Sequence, residues 1–449
     1  MTKGLNREIW RIALPSIVTN VTIPLLGLLD TAIAGHLDAS HGALYIGAVS
    51  VGAMMFNLLY WNFGFLRMGT SGLTAQAYGQ GDTGMQASIL QRATMLGLAI
   101  GVLIIVLQWP LQRAALWVIG PSHDVRALAL TYFYIGVWGA PPTLMMMSIK
   151  GWLLGMQDSR SPMVISIGVN VLNIAVSLLA VYGLGLGFAG IAVGTVTAQW
   201  AGLLYCWWLL RHKHRGLLAR MNWHTALRGG GLWRFFQVNG DIFVRSTLMM
   251  VLNLFFMAVG ARSGEMVLAV NALIMQLFTL FSYFMDGIAM AGEALVGKYW
   301  GMSHDKRLRS CVLHLFGWAT VLTVLCAALY AAVPGRIFAL LTSDSRVVAA
   351  SVGYRWWCAA IPVAGMAAFV WDGVFIGLTR TRAMTLAVLV AVAAFFALYA
   401  ALPHAMGNQA LWLAFVTYLA LRSLVQTVQY LWQLPHPRPV AARLKKGRK

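Results

Sequence analysis

Long apolar runs recur along the whole of this chain, and they constrain it more than anything else in the sequence. About 20 mostly apolar residues in a helix cross the roughly 30 Å hydrocarbon core of a bilayer. No water is present there, so the backbone must satisfy its own hydrogen bonds, and such runs fold as helices. Twelve spans are expected, at 8–36, 43–78, 88–112, 126–155, 161–182, 188–211, 233–260, 265–299, 309–333, 347–378, 383–403 and 408–433. Of the 449 residues, 59% are hydrophobic and only 10% charged. A soluble domain carries about 25% charged residues. The expected fold class is therefore an all-α integral membrane protein. The first apolar run, from Ile9, is too long for the hydrophobic part of a signal peptide and reads as span 1.

The formal net charge of +20 would suggest nucleic acid in a soluble chain. Here the basic residues lie in loops and tails, as in "RHKHRGLLAR" (211–220) and "RPVAARLKKGRK" (438–449). That is the pattern of the positive-inside rule and of attraction to anionic lipid. Lys3, Arg7, Arg160, the run 211–234, Lys298, Lys306, Arg307, Arg309, Arg380, Arg382 and the C-terminal tail fall on one side. Arg113, Arg126, Arg262, Arg336 and Arg346 fall on the other. Both termini are thus expected in the cytoplasm, with the chain passing many times through a membrane and nucleic acid excluded as a partner. Cys206, Cys311, Cys326 and Cys358 form no CxxC pair, so neither a disulfide framework nor a zinc site is expected. No phosphate loop, HExxH or GxSxG motif occurs, so no enzyme and no ATP-driven pump is expected.

The chain repeats itself. "GWLLG" at 151–155 returns as "GVFIG" at 373–377, an offset of 222 residues. Arg160 and Arg382 share that offset, as do Gly79 of "AYG" and Gly301 of "YWG". "IWR" opens span 1 and "LWR" opens span 7, one residue out of phase. Six spans in each half give the two halves the same membrane orientation. Parallel repeats of this kind are a transporter architecture. The expected division is a six-helix lobe at 1–211, a basic cytoplasmic linker at 212–232, a second six-helix lobe at 233–433 and a basic tail at 434–449, with the lobes related by pseudo-two-fold symmetry.

Polar residues inside the spans are the candidates for function. Asp30 sits in span 1, with Gly27 and Ala34 beside it on one helical face. An intramembrane acid costs several kcal/mol and marks a protonation or ion site by default. Pro15 is a candidate hinge, since it cannot donate its backbone hydrogen bond. On span 5, Ser166, Asn170, Asn173 and Ser177 form one polar stripe, and span 6 adds Thr195 and Gln199. The stripe is read as either glue between helices or the wall of a hydrated pocket. Span 8 carries Gln276, Tyr283, Asp286, Met290 and Glu293 on one face, and span 10 carries Asp372 where the repeat places Lys150 in span 4. These acids are expected to bind a cationic solute, to carry protons, or to pair with Arg67, Lys150 or Arg245. Met145, Met146, Met147, Met249, Met250 and Met257 are core filler, or an adaptable surface for varied ligands.

Taken together, "WRIALPSIVTNVTIPLLGLLDTAIAGHLD", "FLRMGTSGLTAQAYG", "GWLLGMQ" and "WDGVFIGLTR" resemble the multidrug and toxic compound extrusion (MATE) family, and more narrowly its DinF branch. The resemblance covers nearly the whole chain. It implies two six-helix lobes around a central cavity and cation-coupled export of organic, often cationic or amphipathic compounds by alternating access. It implies a coupling site at Asp30, Asn173 and Thr195. The family pattern has an aspartate four residues after the asparagine, where this chain has Ser177. One carboxylate holds a hard cation less well than two, which favours H⁺ over Na⁺ as the coupling ion, or moves coupling to Asp286, Glu293 or Asp372. Substrate-binding candidates are Asn170, Gln199, Tyr283, Asp286, Met290, Glu293 and Asp372. No cofactor and no metal are expected, and the expected oligomeric state is a monomer. The rival readings are Na⁺-coupled efflux and a lipid-linked precursor flippase, which would need Arg67 and Lys150 to grip a diphosphate.

The charge pattern makes a direct prediction. Single cysteines introduced in the 212–220 segment should react with an impermeant thiol reagent in inverted vesicles and not in intact cells. Labelling in intact cells would reverse the orientation.

Overall fold

The computed structural model describes residues 2–37, 41–221 and 231–433. The basic tail 434–449 and the linker residues 222–230 lie outside the described residues. No strand occurs among the described residues. Among the described residues, eleven helices are long and apolar enough to cross a membrane. Span 1 is Thr2–Gly35, span 3 Thr83–Val106, span 5 Arg160–Leu178 and span 6 Ala189–Lys213. Span 7 is Leu232–Arg262, span 8 Glu265–Gly301, span 9 Asp305–Ala332, span 10 Arg355–Gly377, span 11 Thr381–Ala401 and span 12 Asn408–Gln433. Span 2 is the pair Gly42–Tyr60 and Phe65–Gln80, joined by a 3-10 turn at Trp61–Gly64.

Span 4 is the one expected span that is absent from those eleven. It consists of His123–Gly136 and Ala140–Gly155, joined by a 3-10 turn at Val137–Gly139. The sequence explains the break. Pro142 has no N–H for the carbonyl of Trp138, four residues earlier. The indole of Trp200, on span 6, donates to that carbonyl instead, at 3.1 Å. In hydrocarbon an orphaned carbonyl is costly, and breaks persist where a neighbouring helix supplies the missing partner.

By packing, the chain divides into two units, residues 14–243 and residues 1–13 with 244–449. The boundaries fall inside spans 1 and 7, not at the linker from which the lobes were counted. The start of span 1 belongs with the second unit: Trp10 meets Trp318 edge-on at 5.1 Å, and Glu8 accepts a hydrogen bond from Tyr299 at 2.7 Å. The start of span 7 belongs with the first: Arg234 donates to Gln76 at 2.8 Å, and Phe243 meets Phe65 at 6.0 Å. Each unit takes the opening turns of the other half's first helix. Pro15 lies beside the first boundary.

The repeat seen in sequence is a repeat in packing. Gly151 and Gly155 let span 4 cross the helix Phe65–Gln80 with the backbones nearly touching. A Cβ at Gly151 would clash with the Arg67 carbonyl oxygen, and one at Gly155 would stand 2.6 Å from that of Ser71 and 2.9 Å from Ala75 N. Gly373 and Gly377 do the same on span 8. A Cβ at Gly373 would clash with the Ala289 carbonyl, and one at Gly377 would stand 2.9 Å from Glu293 O and Gly297 N. Residues 67, 71 and 75 recur as 289, 293 and 297 at the same offset of 222. Small residues four apart are the usual device for close helix contact in membranes, where apolar surface alone gives no drive to associate.

Polar side chains secure each unit. In the second, Asn271 and Asn408 exchange amide hydrogen bonds at 2.9 and 2.8 Å, and Trp412 donates to Asn271 at 2.9 Å. Phe256 and Phe415 pack around that indole. In the first, Lys213 reaches Asp158 at 3.0 Å and Ser161 at 2.8 Å, fastening the end of span 6 to the start of span 5. Burial opposes ionisation of Asp158. Two hydrogen bonds from Ser161 and the Lys213 charge outweigh it and hold the carboxyl below its ordinary range.

The repeated crossing is testable by substitution. Gly151→Val and Gly373→Val should each cost about 1–3 kcal/mol or more, because the clash is with backbone that cannot rotate away. Gly168→Ala, where a Cβ meets nothing within 4 Å, should leave thermal unfolding in detergent unchanged or slightly raised. Equal midpoints for the three variants would refute the crossing.

Candidate functional site

Asp30 is buried in the first unit, five residues before span 1 ends at Gly35. It stands one helical turn before Ile33 and Ala34, which belong to an apolar cluster with Ala48, Val49, Val181, Phe188, Ile191, Ala192 and Tyr132. Its Oδ1 is buried and has no hydrogen-bond partner. Tyr132, from the first piece of span 4, lies within electrostatic reach of Asp30 and shares a side-chain hydrogen bond with Thr195. Asn173 then donates to Thr195 at 3.1 Å, and Ser177 donates to Asn173 at 3.1 Å. Asn173 and Ser177 are both buried. Spans 5 and 6 approach this closely because residue 194 is glycine: a Cβ there would clash with Ser177 Oγ and stand 2.6 Å from its backbone nitrogen. The structure thus brings together Asp30, Asn173, Ser177 and Thr195 as expected, through a tyrosine that was not.

The other expected residues of this unit divide. Asn170 donates to the Thr22 carbonyl at 3.3 Å and ties span 5 to span 1. Two residues after Thr22 is Pro24, a second proline inside span 1 beside Pro15. Gln199 lies over the break in span 4, its side chain filling the space above Gly139. Its Oε1 is buried without a partner. Ser166 takes a hydrogen bond from Lys150 at 2.9 Å.

In the second unit Asp372 differs from a free acid awaiting a cationic solute. Arg245, from span 7, and Arg422, from span 12, both donate to its Oδ2, and Gln426 donates to Oδ1 at 2.8 Å. All four residues are buried. Of the alternatives open in the sequence, Asp372 takes the pairing with Arg245. Arg422 and Gln426 were not foreseen, since a single arginine in span 12 gives no sign of where it points. Asp286 lies within electrostatic reach of Arg245 and of Tyr283. Glu293 is buried, and Tyr283 and Met290 are partly so. Gln276, placed on the same face by spacing, is exposed, so that face of span 8 is not one continuous lining.

A doubled helical module with ionisable groups buried inside each unit is the architecture of a membrane transporter. The MatE family model matches residues 15–179 and 242–401. The chain is 37% identical to DNA damage-inducible protein F of Escherichia coli over 421 residues, 93% of this chain and 90% of that one. It is 26% identical to a probable multidrug resistance protein NorM of Synechocystis, over 74% of this chain and 72% of the relative. Its fold matches the Vibrio cholerae MATE transporter VcmN in the bent form with a TM-score of 0.84, at 15% identity, covering 96% of this chain and 97% of that one. This chain belongs to the MATE family of multidrug efflux transporters, in its DinF branch.

The Asp372 cluster predicts an asymmetry. Asp372→Asn would leave two buried guanidiniums without their countercharge, at a cost of about 3–5 kcal/mol. Arg422→Gln leaves Asp372 still paired and should cost less. Thermal unfolding in detergent, followed by size-exclusion chromatography, should show that order; the reverse order would show that Asp372 is not the hub.

Proposed function

We propose that this chain is a secondary antiporter of the bacterial inner membrane, both termini cytoplasmic, which exports organic, cationic or amphipathic compounds in exchange for protons. The observation that carries the reading is the Asp30 carboxyl, buried within a membrane-spanning helix with one oxygen unpartnered. A carboxylate in that position costs about 2.5–3.5 kcal/mol by insertion scales. Protonation removes the charge and the cost together. Access to water, or to the Tyr132, Thr195 and Asn173 hydroxyl and amide groups, favours the charged form again. A conformational change that alters this exposure changes proton affinity, and by linkage the proton biases the conformation. Pro15, beside the boundary of the two packing units, is the place where span 1 bends.

The energies are adequate. A proton entering down 100 mV releases about 2.3 kcal/mol. A hundredfold uphill gradient of a neutral solute costs about 2.8 kcal/mol, at 1.4 per decade. Membrane potential with a modest pH gradient supplies that. For a monovalent cation exchanged one for one the electrical terms cancel, and the pH gradient alone drives export. Ser177 supports protons over Na⁺: it offers a hydroxyl to Asn173 where a second carboxylate would have served a metal ion.

Asp30→Asn, a fixed mimic of the protonated acid, should bind a fluorescent organic cation within about twofold of wild type. In liposomes it should lose export driven by a pH gradient. Export at the wild-type rate would remove Asp30 from coupling, and wild-type protein that responds only to a Na⁺ gradient would replace the proton by Na⁺.

A further inference from the structure

Lys150 lies in span 4, five residues before its end at Gly155. Its ammonium makes one hydrogen bond, to Ser166 Oγ at 2.9 Å, and is within electrostatic reach of Cys206 on span 6. The other charged groups and histidines on helices packed against the piece of span 4 that carries Lys150 are Arg67, on Phe65–Gln80, Arg92, on span 3, Arg160, on span 5, and Arg211, His212 and Lys213, on span 6, none of them an acid. At the end of the span, His214 packs edge-on against Trp152 at 4.9 Å, and Asp158, the nearest carboxylate in sequence, is engaged by Lys213. No carboxylate pairs with Lys150 among the described residues. A lysine inside a membrane span normally pairs with an acid or lines a polar path.

The repeat gives the comparison. Position 150 in the first unit corresponds to 372 in the second, at the offset of 222. There the ionisable group is clamped by two arginines and a glutamine. At 150 it has one hydroxyl. The same place in the module is neutralised by pairing in one unit and left unpaired in the other.

Ser166 is the first member of the stripe on span 5 that continues through Asn170 and Asn173 to Ser177. From Ser166 to Asn173 the rise is about 10 Å, at 1.5 Å per residue. Asn173 is bonded to Thr195, which shares a hydrogen bond with Tyr132 beside Asp30. Spans 1 and 4 cross in opposite directions, so Asp30 and Lys150 stand near opposite faces of the membrane, joined by one polar seam.

We infer that Lys150 is a second proton-exchanging group of this transporter, at the end of the seam remote from Asp30. The inference rests on the proton-antiport reading above. The amine takes a proton on its lone pair and returns it to water, with no other bond made or broken. With Asp30 serving one face and Lys150 the other, proton binding and release occur at separate places along the first unit.

The test uses wild-type protein, Lys150→Arg and Lys150→Met in liposomes with a fluorescent organic cation. A permanent charge and a permanent absence of charge should both slow export driven by a pH gradient at least tenfold. Substrate exchange without net proton movement should stay within twofold of wild type. Export retained by Lys150→Arg would make Lys150 a fixed cation. Export retained by Lys150→Met would make it a packing residue. Loss of exchange along with export would make it part of the substrate site. Each of these overturns the inference. Wild-type protein indifferent to a pH gradient would overturn the antiport reading and the inference with it. A second measurement does not require the Lys150 variants to fold. Asp30→Asn protein in weak buffer should still release protons when the organic cation is added, reported by a pH dye. No release from folded Asp30→Asn overturns the inference.

Discussion

The fold depends on the close backbone contact that glycines permit between helices with no other strong reason to associate. Hydrocarbon satisfies apolar side chains wherever they point, so burial of leucine does not select a partner helix. At Gly151 and Gly155, and again at Gly373 and Gly377, the absence of a side chain brings backbone against backbone. That contact fixes the second piece of span 4 on Phe65–Gln80 and span 10 on span 8. Lys150 is adjacent to Gly151, and Asp372 is adjacent to Gly373.

Two solutions to the burial of charge stand side by side in one repeated module. In the second unit Asp372 sits between Arg245 and Arg422 with Gln426 on its other oxygen. That cluster links spans 7, 10 and 12 through one carboxylate, and removing the carboxylate would leave two buried cations without their countercharge. In the first unit Asp30 has an oxygen without a partner, and Lys150 has a single serine. Groups with so few fixed partners can change charge at lower cost than groups held in a network.

Breaks in the helices occur where neighbours repair them. Pro142 frees the Trp138 carbonyl, and Trp200 takes it. The break in span 4 also sets Tyr132 in the piece of helix that faces Asp30, with Phe56 and Phe188 about its ring. Local irregularity and the polar site thus share a cause: both need backbone or side-chain partners that regular apolar helices do not offer.

The sequence alone determined the class of fold, because long apolar runs have one solution in a bilayer. It also determined the repeat, because the glycines that set the crossings cannot be exchanged for larger residues. The Asp30, Asn173, Ser177 and Thr195 set was legible because polar residues at helical spacing in apolar helices stand out. Tertiary structure alone decided which residues complete the set. Tyr132 is one aromatic among many until span 4 breaks and turns it towards Asp30. Arg422 and Gln426 are ordinary polar residues of span 12 until packing sets them on Asp372, 50 and 54 residues away in sequence. The boundary of the units inside spans 1 and 7 was invisible for the same reason. Helical spacing places side chains on the face of one helix. Only the packing of helices determines which faces meet, and so which buried charges find a partner.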